Sequence, residues 1–199
     1  GVMPQNPCAA ALLAWALLFP ASATFAEARD PGPMVQVSTA KVKMSRKERR
    51  ALAAAEAAAE ADRAALKEVV AEVASAPKKG RIWCVPFARA VSGIEIKGNA
   101  ATWWKQAADL YARGNEPKVG AVLNFRASRA MPMGHVAVVS AVVSDREVLV
   151  DQANWERNRI TEDTLVVDVS AKNDWSEVRV ANANGTLGRT NPVYGFIYR

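Results

Sequence analysis

Residues 134–155 read GHVAVVSAVVSDREVLVDQANW. Two β-rich runs, His135–Val143 and Glu147–Asn154, are separated by Ser144, Asp145 and Arg146, which predicts neighbouring strands of one sheet. Along the second run, alternation places Val148, Val150, Gln152 and Asn154 on one face. Leu149, Asp151 and Ala153 fall on the other. Further β-rich runs lie at Val119–Phe125, Thr164–Ser170, Glu177–Ala181 and Val193–Tyr198, divided by Asn, Asp, Gly and Ser.

Upstream the texture is helical. Arg81-Ile82-Trp83-Cys84-Val85-Pro86-Phe87-Ala88-Arg89-Ala90-Val91 reads as a helix start, with Cys84 at or just before the N-terminus. Pro86 falls in the first turn, where the missing N–H has no intrahelical partner anyway. Gly93 ends that helix. Gly98-Asn99-Ala100 is a turn, and about 100–113 reads as a second helix carrying Trp103, Trp104, Ala108 and Tyr111. Gly114–Pro117 breaks it. Short helices first and strands afterwards predict an α+β domain with an antiparallel sheet over residues 78–199.

A longer helix precedes this domain. Ser45-Arg46-Lys47-Glu48 has the form of a capping box. The Ala/Glu-rich stretch behind it contains no Gly or Pro, which predicts a helix over about 46–75 within segment 45–76. Alanine dominates its first half. Leu66, Val69, Val70 and Val73 form a short apolar stripe in the second. Such a helix serves as a solvated spacer, a self-associating segment, or a segment that docks on the domain or on a regulatory partner.

Residues 1–26 contain no Lys, Arg, Asp or Glu, and Cys8–Phe19 is an unbroken apolar run of 12. Pro20 and the small residues Ala21-Ser22-Ala23 follow. That layout predicts a signal peptide, with export to the periplasm or the exterior. The run is shorter than the roughly 20 residues of a transmembrane helix, so no membrane span is expected after cleavage. Residues 27–44 read as a linker.

The 199 residues carry a formal net charge of +6. Residues 41–50 hold six basic side chains and one acid, residues 51–77 two basic and five acids, and residues 78–199 seventeen basic and twelve acids. A basic balance favours anionic partners. With an export segment in front, a wall polymer or a membrane surface fits better than nucleic acid. No phosphate-binding glycine loop or nucleic-acid module is present. A single histidine excludes a multi-histidine metal centre, and two cysteines exclude a four-cysteine zinc site. No metal or cofactor is expected. Cleavage of residues 1–26 would leave Cys84 as the lone thiol in an oxidising compartment, where it needs a reason to exist.

Thiol chemistry supplies that reason. A helix N-terminus stabilises thiolate through its unpaired N–H groups and dipole, and Cys84 stands at such a position. His135, at the start of a strand, can take the thiol proton and return it to a leaving amine. Gln152 and Asn154, on the neighbouring strand, each offer a side-chain carbonyl to the other imidazole nitrogen. Order and spacing suit a thiol hydrolase: nucleophile on a helix, base on a strand, orienter on the next. Trp83 and Trp155 flank the site, either stacking on substrate or buried as core.

Cys84 before a short helix, GNAATWW at 98–104, PKVGAVLNF at 117–125, GHVAVV at 134–139 and DQANW at 151–155 together resemble a CHAP domain. These are cysteine, histidine-dependent amidohydrolases/peptidases of the papain-like, NlpC-type superfamily. The resemblance covers about residues 80–199. It implies a papain-like fold and hydrolysis of peptidoglycan, either between N-acetylmuramic acid and L-alanine or within stem or cross-bridge peptides. Cys84 matches the family nucleophile and His135 its general base. Where many members have an acid two positions before the Asn-Trp pair, here Asn154-Trp155, this chain has Gln152. Asn154 matches the accompanying polar residue, and Asp151 is one register away. Trp83 stands where many members have Gln, so the oxyanion hole is assigned to backbone N–H groups, including that of Cys84. The competing readings are a non-catalytic wall-binding module and a thiol amidase for another amide.

Overall fold

Ser45 and Glu48 close the expected capping box. The Ser45 N–H donates to the Glu48 carboxylate at 2.6 Å, and the Glu48 N–H donates to Ser45 Oγ at 3.2 Å. They start α1, Arg46–Ser75. At its other end the Lys78 ammonium donates to the carbonyls of Val73, Ala74 and Ala76, which satisfies groups that have no helical partner. The structure is a computed structural model and describes residues 44–199. The signal peptide expected at 1–26, and the linker up to residue 43, lie outside the described residues.

Residues 46–62 of α1 are exposed on every side. Contact with the domain begins at Arg63 and continues through Leu66, Lys67, Val70 and Val73, one stripe at helical spacing. Val69 is off this stripe and exposed, so the apolar face is narrower than the sequence suggested. The helix docks, and Met44–Arg199 form one compact unit.

Helix α2, Cys84–Ser92, ends at Gly93, whose φ of 71° closes the last turn in the left-handed region. A single 3₁₀ turn, Ala100–Thr102, leads into α3, Trp103–Ala107. The helix expected over 100–113 stops there. Ala112–Gly114 instead form strand β1, pairing with Tyr198–Phe196. The open edge of the last strand takes up these residues, and Arg113 donates to the Trp104 carbonyl at 2.7 Å while stacking on that indole. Tertiary pairing has overridden a marginal helix end.

Strands β2 (Val122–Phe125), β3 (His135–Ser144), β4 (Glu147–Ala153), β5 (Ile160–Asp168), β6 (Glu177–Ala181) and β7 (Leu187–Tyr198) complete an antiparallel sheet. Its order is β1-β7-β2-β3-β4-β5-β6. The first half of β7 also pairs with β6 while its second half pairs with β2, so the sheet curls back on itself. One face, through Val122, Val136, Val138 and Ala153, packs on α1, α2 and α3. The other, through Phe125, Ala137, Val139, Val148 and Val150, closes on Trp175 and Phe196 inside the curl.

Candidate active site

Cys84 is the first residue of α2, after Trp83 in extended conformation. His135 is the first residue of β3. Both line one pocket of about 710 Å³. The residue before His135 must be small, because a Cβ on Gly134 would lie 2.7 Å from the Ala101 nitrogen and 2.9 Å from the Phe125 carbonyl oxygen. This close approach joins the GNAATWW segment to the base, with the Ala101 N–H donating to the Met133 carbonyl at 2.9 Å.

The imidazole is buried, with the Phe125 ring 5.4 Å and the Trp155 ring 5.1 Å away, both edge-on. Its Nε2 lies 2.9 Å from Gln152 Oε1. With a carbonyl as partner, Nε2 is the protonated nitrogen, and Nδ1 keeps a lone pair. Alternation thus put Gln152 on the correct face. Burial pulls the imidazole pKa down to about 4, against the opposing effect of the Gln152 bond. Gln152 is itself fully buried, and its Nε2 has no partner among the described residues.

The thiol departs from expectation. Burial pushes the Cys84 pKa up, although the backbone N–H groups of Val136, Val85 and Cys84 favour the thiolate. Both groups are therefore driven toward their neutral forms at rest, and desolvation outweighs the helix N-terminus.

Asn154 is not brought to the imidazole. Strand β4 ends at Ala153, and Asn154 turns away with φ 60°. Its Oδ1 accepts from the Asn158 N–H at 2.8 Å, and Asn158 Oδ1 accepts from the Ile82 N–H at 2.8 Å. These side chains tie the end of the base's sheet to the segment that enters the nucleophile helix. Asn158 was not identified from sequence. Its signal would have been an Asn placed to adopt the left-handed φ of 61°.

Asp151 faces away from the imidazole, as alternation predicts. It is fully buried and accepts from the Lys67 ammonium of α1 at 2.7 and 2.8 Å. Lys67 also reaches Glu162 and Asp163, at 3.1 and 3.0 Å. Arg63 grips both carboxylate oxygens of Asp163, at 3.0 and 3.1 Å. Sequence reasoning missed this polar half of the helix interface, although two cations on the Leu66–Val70 stripe were a visible signal. Trp83 is exposed with the Arg81 guanidinium 4.3 Å over its ring, whereas Trp155 is half-buried against His135.

The depressed imidazole pKa makes a stability prediction. The unfolded state takes up a proton near 6.5 and the folded state only near 4, so stability is full above 6.5 and falls as pH drops toward 4. Between pH 7 and 5 this amounts to about 2 kcal/mol. Urea unfolding at the two pH values measures it. A His135→Leu variant, with no titrating imidazole, should lose that part of the slope.

Among the described residues no group of three His, Cys, Asp or Glu is placed to hold a metal ion, and no helix is long and apolar enough to cross a membrane. None of the curated proteins matches the chain. A thiol at a helix start, an imidazole at a strand start and an amide on its distal nitrogen all fall within residues 76–154. That stretch matches the family model of the CHAP domain, and strands β5 to β7, beyond the matched residues, complete the sheet.

Proposed function

We propose that this protein is an exported thiol amidohydrolase that cuts an amide bond of peptidoglycan, with Cys84 as nucleophile, His135 as general base and Gln152 as orienter. One observation carries the reading. Among the described residues, the pocket is lined by one thiol and one imidazole, and by no Ser, Thr, Asp or Glu. Within that lining only Cys84 can attack a carbonyl and only His135 can accept a proton. The match of residues 76–154 to the CHAP domain model supports a hydrolase that acts on walls, and the packing of the helices on one face of the sheet supports a papain-like layering. The apolar segment at 1–26 supports delivery to the wall, and the basic balance supports affinity for it.

The reaction starts from the neutral pair. Nδ1 of His135 takes the Cys84 proton as Sγ bonds to the scissile carbonyl carbon. The carbonyl oxygen gains negative charge, which first-turn N–H groups, including that of Cys84, stabilise. As the C–N bond breaks, the imidazolium returns its proton to the leaving amine. Water, deprotonated by Nδ1, then attacks the thioester and releases the acid and the thiol. Gln152 keeps the Nε2–H tautomer throughout. As an uncharged amide it offers the imidazolium less stabilisation than a carboxylate would.

Full-length protein incubated with purified sacculi, followed by mass analysis of released fragments, tests the proposal. New N-terminal alanine identifies an amidase, and new internal amines identify an endopeptidase. Folded protein that binds sacculi and releases nothing would make it a binding module, a reading favoured by the raised thiol and the neutral Gln152. Residues 78–199 alone are the wrong sample, because they lack the Lys67 that pairs with buried Asp151.

The orienter is tested separately. Gln152→Ala should lower kcat by about 10²-fold. Asn154→Ala should cost less, since its side chain holds the loop rather than the ring. Gln152→Glu should stay active and move the acidic limb of the pH–rate profile upward from near 4, because a carboxylate favours imidazolium. An unmoved limb would remove Gln152 from the site.

A further inference from the structure

Among the described residues, the pocket around Cys84 and His135 holds two guanidinium groups, Arg81 and Arg189, and no carboxylate. Neither arginine has an acidic partner among the described residues. Unpaired cations around a groove with no acid make an anionic ligand preferable to a neutral one.

The two cations are held differently. Arg81 lies three residues before the nucleophile, its guanidinium carbon 4.3 Å from the centre of the Trp83 ring. A guanidinium held over an indole keeps N–H donors for a carboxylate. Arg189 projects from β7 on another wall. Asn191 Nδ2 donates to the Arg189 carbonyl at 3.0 Å and fixes the backbone that presents it. Asn191 is buried and lines the same pocket, and its Oδ1 has no donor among the described residues. That wall therefore presents an exposed cation, held by a fixed backbone, to a carboxylate.

We propose that the groove is carboxylate-selective, with Arg81 and Arg189 binding peptides that carry a free carboxylate beside the scissile amide in preference to the same peptides with a carboxamide there. This rests on the reading of the groove as an amide-cutting site. It adds the charge of the substrate, which the hydrolytic groups leave open.

The test separates binding from cutting. Full-length protein carrying Cys84→Ala is titrated calorimetrically with two synthetic stem-peptide fragments, identical except for a free carboxylate or a carboxamide next to the scissile bond. The acid form should bind about 10-fold more tightly or better. The preference should shrink in Arg81→Gln and Arg189→Gln, and with added salt. Both guanidiniums are exposed, so these replacements leave the core intact, which melting curves verify. Equal affinity for the two forms, no binding of either, or a preference untouched by both replacements would overturn the proposal. Sacculus digestion by the unaltered protein is read in parallel. Digestion with equal affinities leaves the hydrolase and removes the subsite. A carboxylate preference without digestion leaves the subsite and removes the hydrolase.

Discussion

Cys84→Ala is expected to lower kcat on sacculi by about 10⁴-fold or more, while the protein stays folded. The size follows from the pocket: among the described residues its lining contains no second thiol or hydroxyl to take over the attack. Among the described residues Cys84 is the free cysteine, so alkylation should label one site there and inactivate in proportion. Packing loss is small. The thiol is half-buried at the first residue of a helix, and losing one sulfur costs about 1 kcal/mol or less. Thermal melting and circular dichroism verify the fold, and fragment release reads the activity. Turnover like the unaltered protein's in folded Cys84→Ala would end the assignment of a thiol hydrolase.

The second large effect lies away from the pocket. Lys67→Met should destabilise the domain by about 3 kcal/mol, on the order of 10 °C in Tm. The Asp151 carboxylate is fully buried, and its charge is tolerated because Lys67 bonds to both oxygens. Burial pushes that carboxyl pKa up and the ammonium pulls it back, while the same contacts hold Lys67 above its usual range. With methionine in place of the ammonium, the carboxylate must either take up a proton or stay buried without its cation. A Lys67→Met, Asp151→Leu double variant, which removes both charges, should recover much of the loss. Double-mutant analysis by urea unfolding distinguishes this from simple additivity. Deleting residues 45–76 should do more harm than either single change, because it also uncovers the surface under Leu66 and Val70. An unchanged melting curve after that deletion would make α1 a spacer. Since Asp151 adjoins Gln152, loosening this contact should also lower kcat, although Asp151 never touches the imidazole.

Much of the site was legible in local pattern. Caps, Gly93 and the apolar spacing act within a few residues, so both ends of α1 and the start of α2 at Cys84 could be read directly. The period of two along β4 put Gln152 toward His135 and Asp151 away from it. It failed one step later, at Asn154, because alternation holds only while the chain stays extended and φ turns positive there. The helix read over 100–113 failed for the same kind of reason: the open edge of a strand distant in sequence, at Phe196–Tyr198, captured Ala112–Gly114.

What sequence alone determined was the inventory and its order: one thiol at a helix start, one imidazole at a strand start, an amide on the next strand and a capped helix in front. Those follow from local backbone preference and periodicity, which neighbouring residues decide. Tertiary structure alone decided the partners and the protonation. Lys67 and Asp151 stand 84 residues apart, and no spacing rule links them. The thiol sits at a helix N-terminus that should favour its anion, yet burial holds it protonated, and burial depends on everything packed around it.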